Sequence, residues 1–151
     1  MEFRPPRSKT SYVPRPDKPL KFFADRSLGR IEVPNGLRGA GLAIVTLSDR
    51  YGIPEDQTIE DEAWLKDAGR KAEVVLMKDR RIRYRSAELA ALKQHKVRAF
   101  CLTNGNLTGS KMIEYFTANM THILAACDEP GPFLYIVHAG TIEKLPIDGT
   151  G

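Results

Sequence analysis

At 151 residues the chain has room for one domain with a full core and not for two comfortable ones. Its 42% hydrophobic and 28% charged residues fit a globular protein and exclude a disordered one, and no apolar run approaches the ~20 residues of a membrane span. The net charge is only +4, but residues 78–85 hold five cations around one aspartate, which suits a polyanionic partner as well as a solvated cationic turn.

Residues 1–19, rich in proline and in Arg or Lys, read as a flexible basic arm. The opening Met-Glu-Phe-Arg-Pro-Pro-Arg lacks the apolar core of a signal peptide, so a cytoplasmic location is expected. From residue 20 to 145 the texture is that of a folded domain, with 146–151 as a short tail. Leu20–Ala24 is an apolar run that suits a buried strand, and it delivers Asp25 to its tip. Gly29–Gly39 carries helix contacts at Leu28, Ile31 and Leu37, with Pro34 in the middle implying a broken helix or two short ones. Gly41–Leu47 reads as a second strand, followed by a loop to Ile59 that contains Gly52 and Pro54. Thr58 is placed to cap a helix with Glu60, Asp61 and Glu62 in its first turn, where carboxylates complement the helix dipole. Trp64, Leu65 and Ala68 face its core side, and Gly69 closes it.

Glu73–Met77 is a third strand, ending at Lys78-Asp79. An Ala/Leu-rich helix over 86–95 starts at Ser86, and Val97–Leu102 is a fourth strand. Thr108 or Ser110 caps a long helix to about Ala126, whose stripe is Met112, Ile113, Phe116, Met120 and Ile123. Phe133–Val137 is the fifth strand. Short apolar strands alternating with helices predict an α/β fold, a three-layer αβα arrangement around a mainly parallel five-stranded sheet. Cys101 and Cys127 lie in apolar segments without a CxxC partner, which predicts buried, reduced thiols.

In an open parallel sheet, ligands bind beyond the carboxyl ends of the strands. Asp25 and Asp79 each follow a strand. Asp61 opens a helix that runs back against the strands, so its N-terminus lies at the same edge. Three segments thus converge one acid each on one place. Carboxylates held together repel, and one takes a proton unless a cation intervenes. A hard divalent ion with oxygen ligands, Mg²⁺ or Mn²⁺, suits such a set and can assist phosphodiester hydrolysis. Taken singly, each acid is as readily a helix cap or a solvated loop residue. Other chemistries fit poorly: no phosphate loop, no GxGxxG, no GxSxG, and His95, His122 and His138 lack ligand spacing. A phosphoryl-accepting receiver domain would need an acid pair near the first strand and a lysine after the last, where the chain has Phe23-Ala24-Asp25 and Val137-His138-Ala139-Gly140.

With Phe22-Phe23-Ala24-Asp25, Asp61-Glu62-Ala63-Trp64-Leu65 and Val75-Leu76-Met77-Lys78-Asp79 in place, about 125 residues of the chain resemble PIN-like domains, closest to the VapC-like toxin branch. Arg80-Arg81-Ile82-Arg83-Tyr84 and the segment Leu102–Gly109 resemble the same branch. The resemblance implies a metal-dependent endoribonuclease, the toxin of a type II toxin–antitoxin pair, with RNA, an antitoxin and a second copy of the chain as partners. No apolar helix face in the sequence demands the dimer. The resemblance makes Asp25, Asp61 and Asp79 the catalytic and metal-binding acids, with Glu62 replacing or assisting Asp61. The family's further acid from a mid-chain helix has no evident match, and Asp49 is the best substitute. Arg81 stands where many relatives carry a second acid. Arg26, Arg30, Lys78, Arg80, Arg81 and Arg83 are expected to position RNA phosphates, and Tyr84 to stack on a base. The alternative reading is a catalytically weak or inactive RNA- or protein-binding module on the same fold.

Overall fold

The five apolar runs of the sequence are strands, and they lie side by side. A computed structural model of the chain describes residues 20–147; the basic arm over 1–19 and most of the tail expected over 146–151 lie outside them. In chain order the elements are β1 (Phe22–Ala24), α1 (Glu32–Gly39), β2 (Ile44–Thr46), α2 (Leu47–Tyr51), α3 (Asp61–Arg70), β3 (Val74–Lys78), α4 (Ser86–Gln94), β4 (Arg98–Leu102), α5 (Gly109–Ala118), α6 (Met120–Ala126), β5 (Phe133–Val137) and β6 (Ile142–Leu145).

The sheet order is β2-β1-β3-β4-β5-β6. The first five strands are parallel, and β6 returns antiparallel along β5. The sheet therefore has six strands where the apolar runs predicted five. The extra strand, Ile-Glu-Lys-Leu, is short, only partly buried and lacks a continuous apolar run, and its turn is closed by the His138 N–H donating to the Thr141 carbonyl at 2.9 Å.

Alternate residues of each strand feed two cores, because side chains in a strand point to opposite faces. Phe22, Val74, Leu76, Phe100 and Phe133 pack with Leu37, Met112, Phe116 and Ile123 of α1, α5 and α6 on one face. Phe23, Val75, Met77, Ala99 and Leu134 pack with Trp64, Leu65, Ala91 and Leu92 of α3 and α4 on the other. The Trp64 ring stacks on Phe23 at 5.4 Å between centroids. A sheet covered on both faces explains why its central strands are apolar throughout. Cys101 and Cys127 are buried free thiols, as expected, and burial pushes the Cys127 thiol up to about 11.

Three local expectations change. Pro34 leaves α1 unbroken, because it occupies the first turn, where a backbone N–H has no intrahelical acceptor. The helix expected from Thr58 begins at Asp61 with Glu60 before it and no side-chain cap; the Thr58 hydroxyl instead donates to the Glu55 carbonyl at 3.3 Å. The long helix capped by Thr108 is two helices. At the break the buried Asn119 amide donates to the Tyr115 carbonyl at 2.9 Å and to the His138 carbonyl at 2.8 Å, tying the helix pair to the end of β5. No helix among the described residues is long and apolar enough to cross a membrane.

Candidate active site at the carboxyl edge of the sheet

The chain order reverses direction across the sheet at β1, whose neighbours are β2 and β3. A reversal of this kind leaves a crevice beyond the carboxyl ends of the strands. Asp25 follows β1 and Asp79 follows β3, one on each of two adjacent strands. Asp25 N–H donates to the Leu76 carbonyl at 3.2 Å, and Asp79 N–H to the Leu102 carbonyl at 2.8 Å, so both acids leave the sheet while still hydrogen-bonded to it.

Asp25 is buried. Its Oδ1 accepts from the Ser27 N–H at 2.9 Å and from the Ser27 hydroxyl, capping a short 3₁₀ turn over Arg26–Leu28. The Ser27 hydroxyl also accepts from the Lys78 N–H at 2.8 Å, which clamps the end of β1 to the end of β3. Burial pushes the Asp25 carboxyl up to about 7, with the Ser27 bonds opposing and the Asp61 charge adding to the rise.

Asp61 lies in the first turn of α3, where the helix dipole favours negative charge. Its Oδ1 accepts from Trp64 Nε1 at 3.1 Å and from an Arg26 guanidinium nitrogen at 3.2 Å. The other guanidinium nitrogen of Arg26 donates to the carbonyls of Asp56 at 3.1 Å and Ile59 at 2.7 Å. Asp79 accepts from the Arg81 N–H at 2.9 Å and from Arg85 Nε at 2.7 Å.

A fourth acid joins them. Glu88 sits in the first turn of α4, half-buried. Burial pushes its carboxyl up to about 7, and the charges of Asp61, Asp25 and Asp79 push the same way while Arg85 opposes. Four chain segments thus bring acids within electrostatic reach of one another. The signal for Glu88 was available in the sequence. The reasoning that puts Asp61 at this edge, an acid in the first turn of a helix entering the next strand, applies equally to α4.

Asp49 and Glu62 have partners of their own, although Glu62 lines a cleft with Asp61 and Glu88. Asp49 forms a capping box with Thr46, its Oδ2 accepting from the Thr46 N–H at 3.0 Å and from Arg38 at 2.7 Å. Glu62 is exposed and turned towards His95, with Nε2 at 3.7 Å. The cations divide similarly. Arg30 forks both oxygens of the buried Asp56 at 2.9 Å each, and Arg83 pairs with Glu143 at 3.5 Å. Lys78, Arg80 and Arg81 line a cleft of about 380 Å³ with Asp79, Arg85 and Gly105. A Cβ at Gly105 would push against the Arg80 side chain, which would have to turn aside. Tyr84 is 76% exposed, with the Arg81 guanidinium 5.8 Å from its ring centroid.

The donor set is all carboxylate oxygen, the chemistry that hard divalent cations select. The site carries three aspartates and a glutamate whose charges oppose one another, so a cation is the group that would relieve it. Among the described residues no three His, Cys, Asp or Glu side chains stand close enough to hold a metal ion as they are. The geometry gives a reason. Guanidinium groups hold Asp61 and Asp79 individually, and mutual repulsion opposes closer approach. The acids fit a divalent ion in donor chemistry and share one edge of the sheet, without being gathered around a common point.

A family model described as a PIN like domain matches residues 20–104, a span that contains all four acids. The chain is 30% identical over 124 residues to a Mycobacterium tuberculosis (strain ATCC 25618 / H37Rv) protein provisionally named ribonuclease VapC45, a match covering 82% of this chain and 90% of that protein. No solved structure matches significantly.

Proposed function

This chain belongs to the PIN-like domain family, in its VapC-type branch, and from that premise we propose that it is a metal-dependent endoribonuclease, the toxin of a type II toxin–antitoxin pair acting in the cytoplasm. The observation that carries this reading is the mutual electrostatic coupling of Asp25, Asp61, Asp79 and Glu88 at the sheet's reversal point, two of them with carboxyls near 7. The relative's name, a ribonuclease, supports the substrate class.

In this reading Asp25, Asp61, Asp79 and Glu88 hold Mg²⁺ or Mn²⁺. When bound, such an ion supplies Lewis acidity towards a phosphodiester and lowers the cost of forming hydroxide from water. The chain's own residues do the rest. The Ser27 clamp and the Arg81 N–H fix the strand-end carboxylates in place. Lys78, Arg80 and Arg81, lining the cleft with Asp79, draw in the RNA backbone and position its phosphates. Tyr84, exposed on the same loop, offers a face to an unstacked base. Arg26 and Arg30 serve the site from behind, by fixing the loop that leads into α3.

The test is cleavage of a mixed RNA pool by purified protein, comparing EDTA with Mg²⁺ and Mn²⁺, and wild type with Asp79→Asn. Metal-dependent cutting that the variant loses is the expected result. Full activity in the variant, or in EDTA, would sink the reading. The competing reading, an RNA- or protein-binding module without catalysis, draws on the arginine pairs that hold Asp61 and Asp79. Salt-sensitive RNA binding without cleavage in either metal would establish it.

A further inference from the structure

The acid cluster already has a cation of its own. Arg85 Nε donates to Asp79 Oδ2 at 2.7 Å, and the charges of Asp79, Glu88 and Asp61 all act on its guanidinium. Arg85 lines the cleft that holds Asp61 and Glu88 as well as the one that holds Asp79, Arg80 and Arg81. It therefore stands between the acids and the basic loop.

Arg26 holds Asp61 differently. Its guanidinium is also bonded to two backbone carbonyls, so it is anchored whether or not the carboxylate stays. The anchor of Arg85 is the Asp79 carboxylate itself. Its side chain is 49% exposed and stems from the residue just ahead of α4, so the head can turn while the backbone stays in place. Asp79 would keep its orientation without it, because the Arg81 N–H holds the other carboxylate oxygen at 2.9 Å. A divalent ion and a guanidinium competing for one carboxylate repel each other strongly at such range.

We propose that Arg85 is a positioning residue that acts as a built-in counter-ion: it holds Asp79 while no divalent ion is bound, yields the carboxylate when one enters, and turns its guanidinium towards an RNA phosphate. The planar fork of an arginine suits both partners, carboxylate and phosphate. Ion entry and phosphate capture are thereby coupled through one side chain. This inference rests on the ribonuclease reading and deepens it.

The experiment titrates Mn²⁺ into RNA-free protein by calorimetry, for wild type, Arg85→Gln and Arg85→Lys, and measures KM for RNA in each. Removing the competing charge should tighten Mn²⁺ binding in Arg85→Gln by about tenfold, while KM for RNA rises several-fold. Opposite movement of the two constants is the signature, because a merely structural arginine would weaken both. Arg85→Lys keeps the charge but loses the Nε–H bond, and should fall between wild type and Arg85→Gln. If Arg85→Gln does not fold, Arg85→Lys decides: tighter Mn²⁺ binding supports the role, and unchanged or weaker binding overturns it. A wild type that binds Mn²⁺ and cuts RNA, with variants of unchanged or lower Mn²⁺ affinity, removes the role of Arg85 and leaves the ribonuclease reading standing. A wild type that neither binds Mn²⁺ nor cuts RNA removes both.

Discussion

Asp25 and Asp49 invite comparison, since each lies just beyond a strand, β1 and β2, at the same edge of one sheet. Each accepts from a nearby backbone N–H, but their surroundings differ in burial and in charge. Asp49 is half exposed, caps its own helix with Thr46 and meets Arg38. Desolvation is the largest single influence and raises its carboxyl, but the Thr46 bonds and Arg38 together outweigh it and hold the group below the usual range. Asp25 is buried, its nearby Arg26 is turned towards Asp61, and burial together with the Asp61 charge leaves its carboxyl near 7. An acid satisfied by donors and a cation stabilises a fold. An acid left desolvated among like charges is in want of a cation, and such groups gather where chemistry is done. Strand-end position alone does not distinguish the two.

The strongest way to break this comparison is to neutralise the acids on the Asp25 side. Asp79→Asn should lower RNA cleavage by about a hundredfold or more, measured as kcat/KM on one defined RNA, with circular dichroism unchanged. Glu88→Gln should lower cleavage by about tenfold to a hundredfold. Wild-type rates in that variant would return Glu88 to the role of a helix-dipole acid.

The pH dependence of stability sharpens the contrast. Asp25 and Glu88 ionise near 7 when folded and near 4 when unfolded, so between these values the folded state retains protons the unfolded state has released. Their contribution to stability is complete below about pH 4 and is lost as pH rises through about 7. In EDTA the melting temperature should accordingly fall between about pH 4.5 and 7, and the slope should flatten in Asp25→Asn. An equal slope in both proteins would contradict the assignment. Asp49 carries the opposite sign: its carboxyl is depressed, so its contribution is present at neutral pH and is lost on acidification. The smallest effect expected is from Asp49→Ala. It should cost about 1 kcal/mol of unfolding free energy through the lost half of the capping box, read from urea melts, and leave cleavage unchanged.

Much of this architecture can be read from the residues. The apolar runs at β1 to β5, the acids at the ends of β1 and β3, and the first turn of α3 are local patterns, and a local pattern is visible in a linear chain. The sixth strand escaped because four residues with two polar ones in the middle form an edge only if a neighbouring strand offers hydrogen bonds. Glu88 carries the same local signal as Asp61, an acid in a first helical turn, and what singles it out is its nearness to the charges of Asp25, Asp61 and Asp79.

The sequence by itself determined the fold class and which segments end in acids, because periodicity and strand punctuation are properties of neighbouring residues. Only the tertiary structure decided which of those acids are satisfied and which are not. Arg38 reaches Asp49 across 11 positions, Arg26 reaches Asp61 across 35, and Arg30 reaches Asp56 across 26. Charge compensation acts through space rather than along the chain, so the neighbours of an acid in sequence do not show which cation it meets.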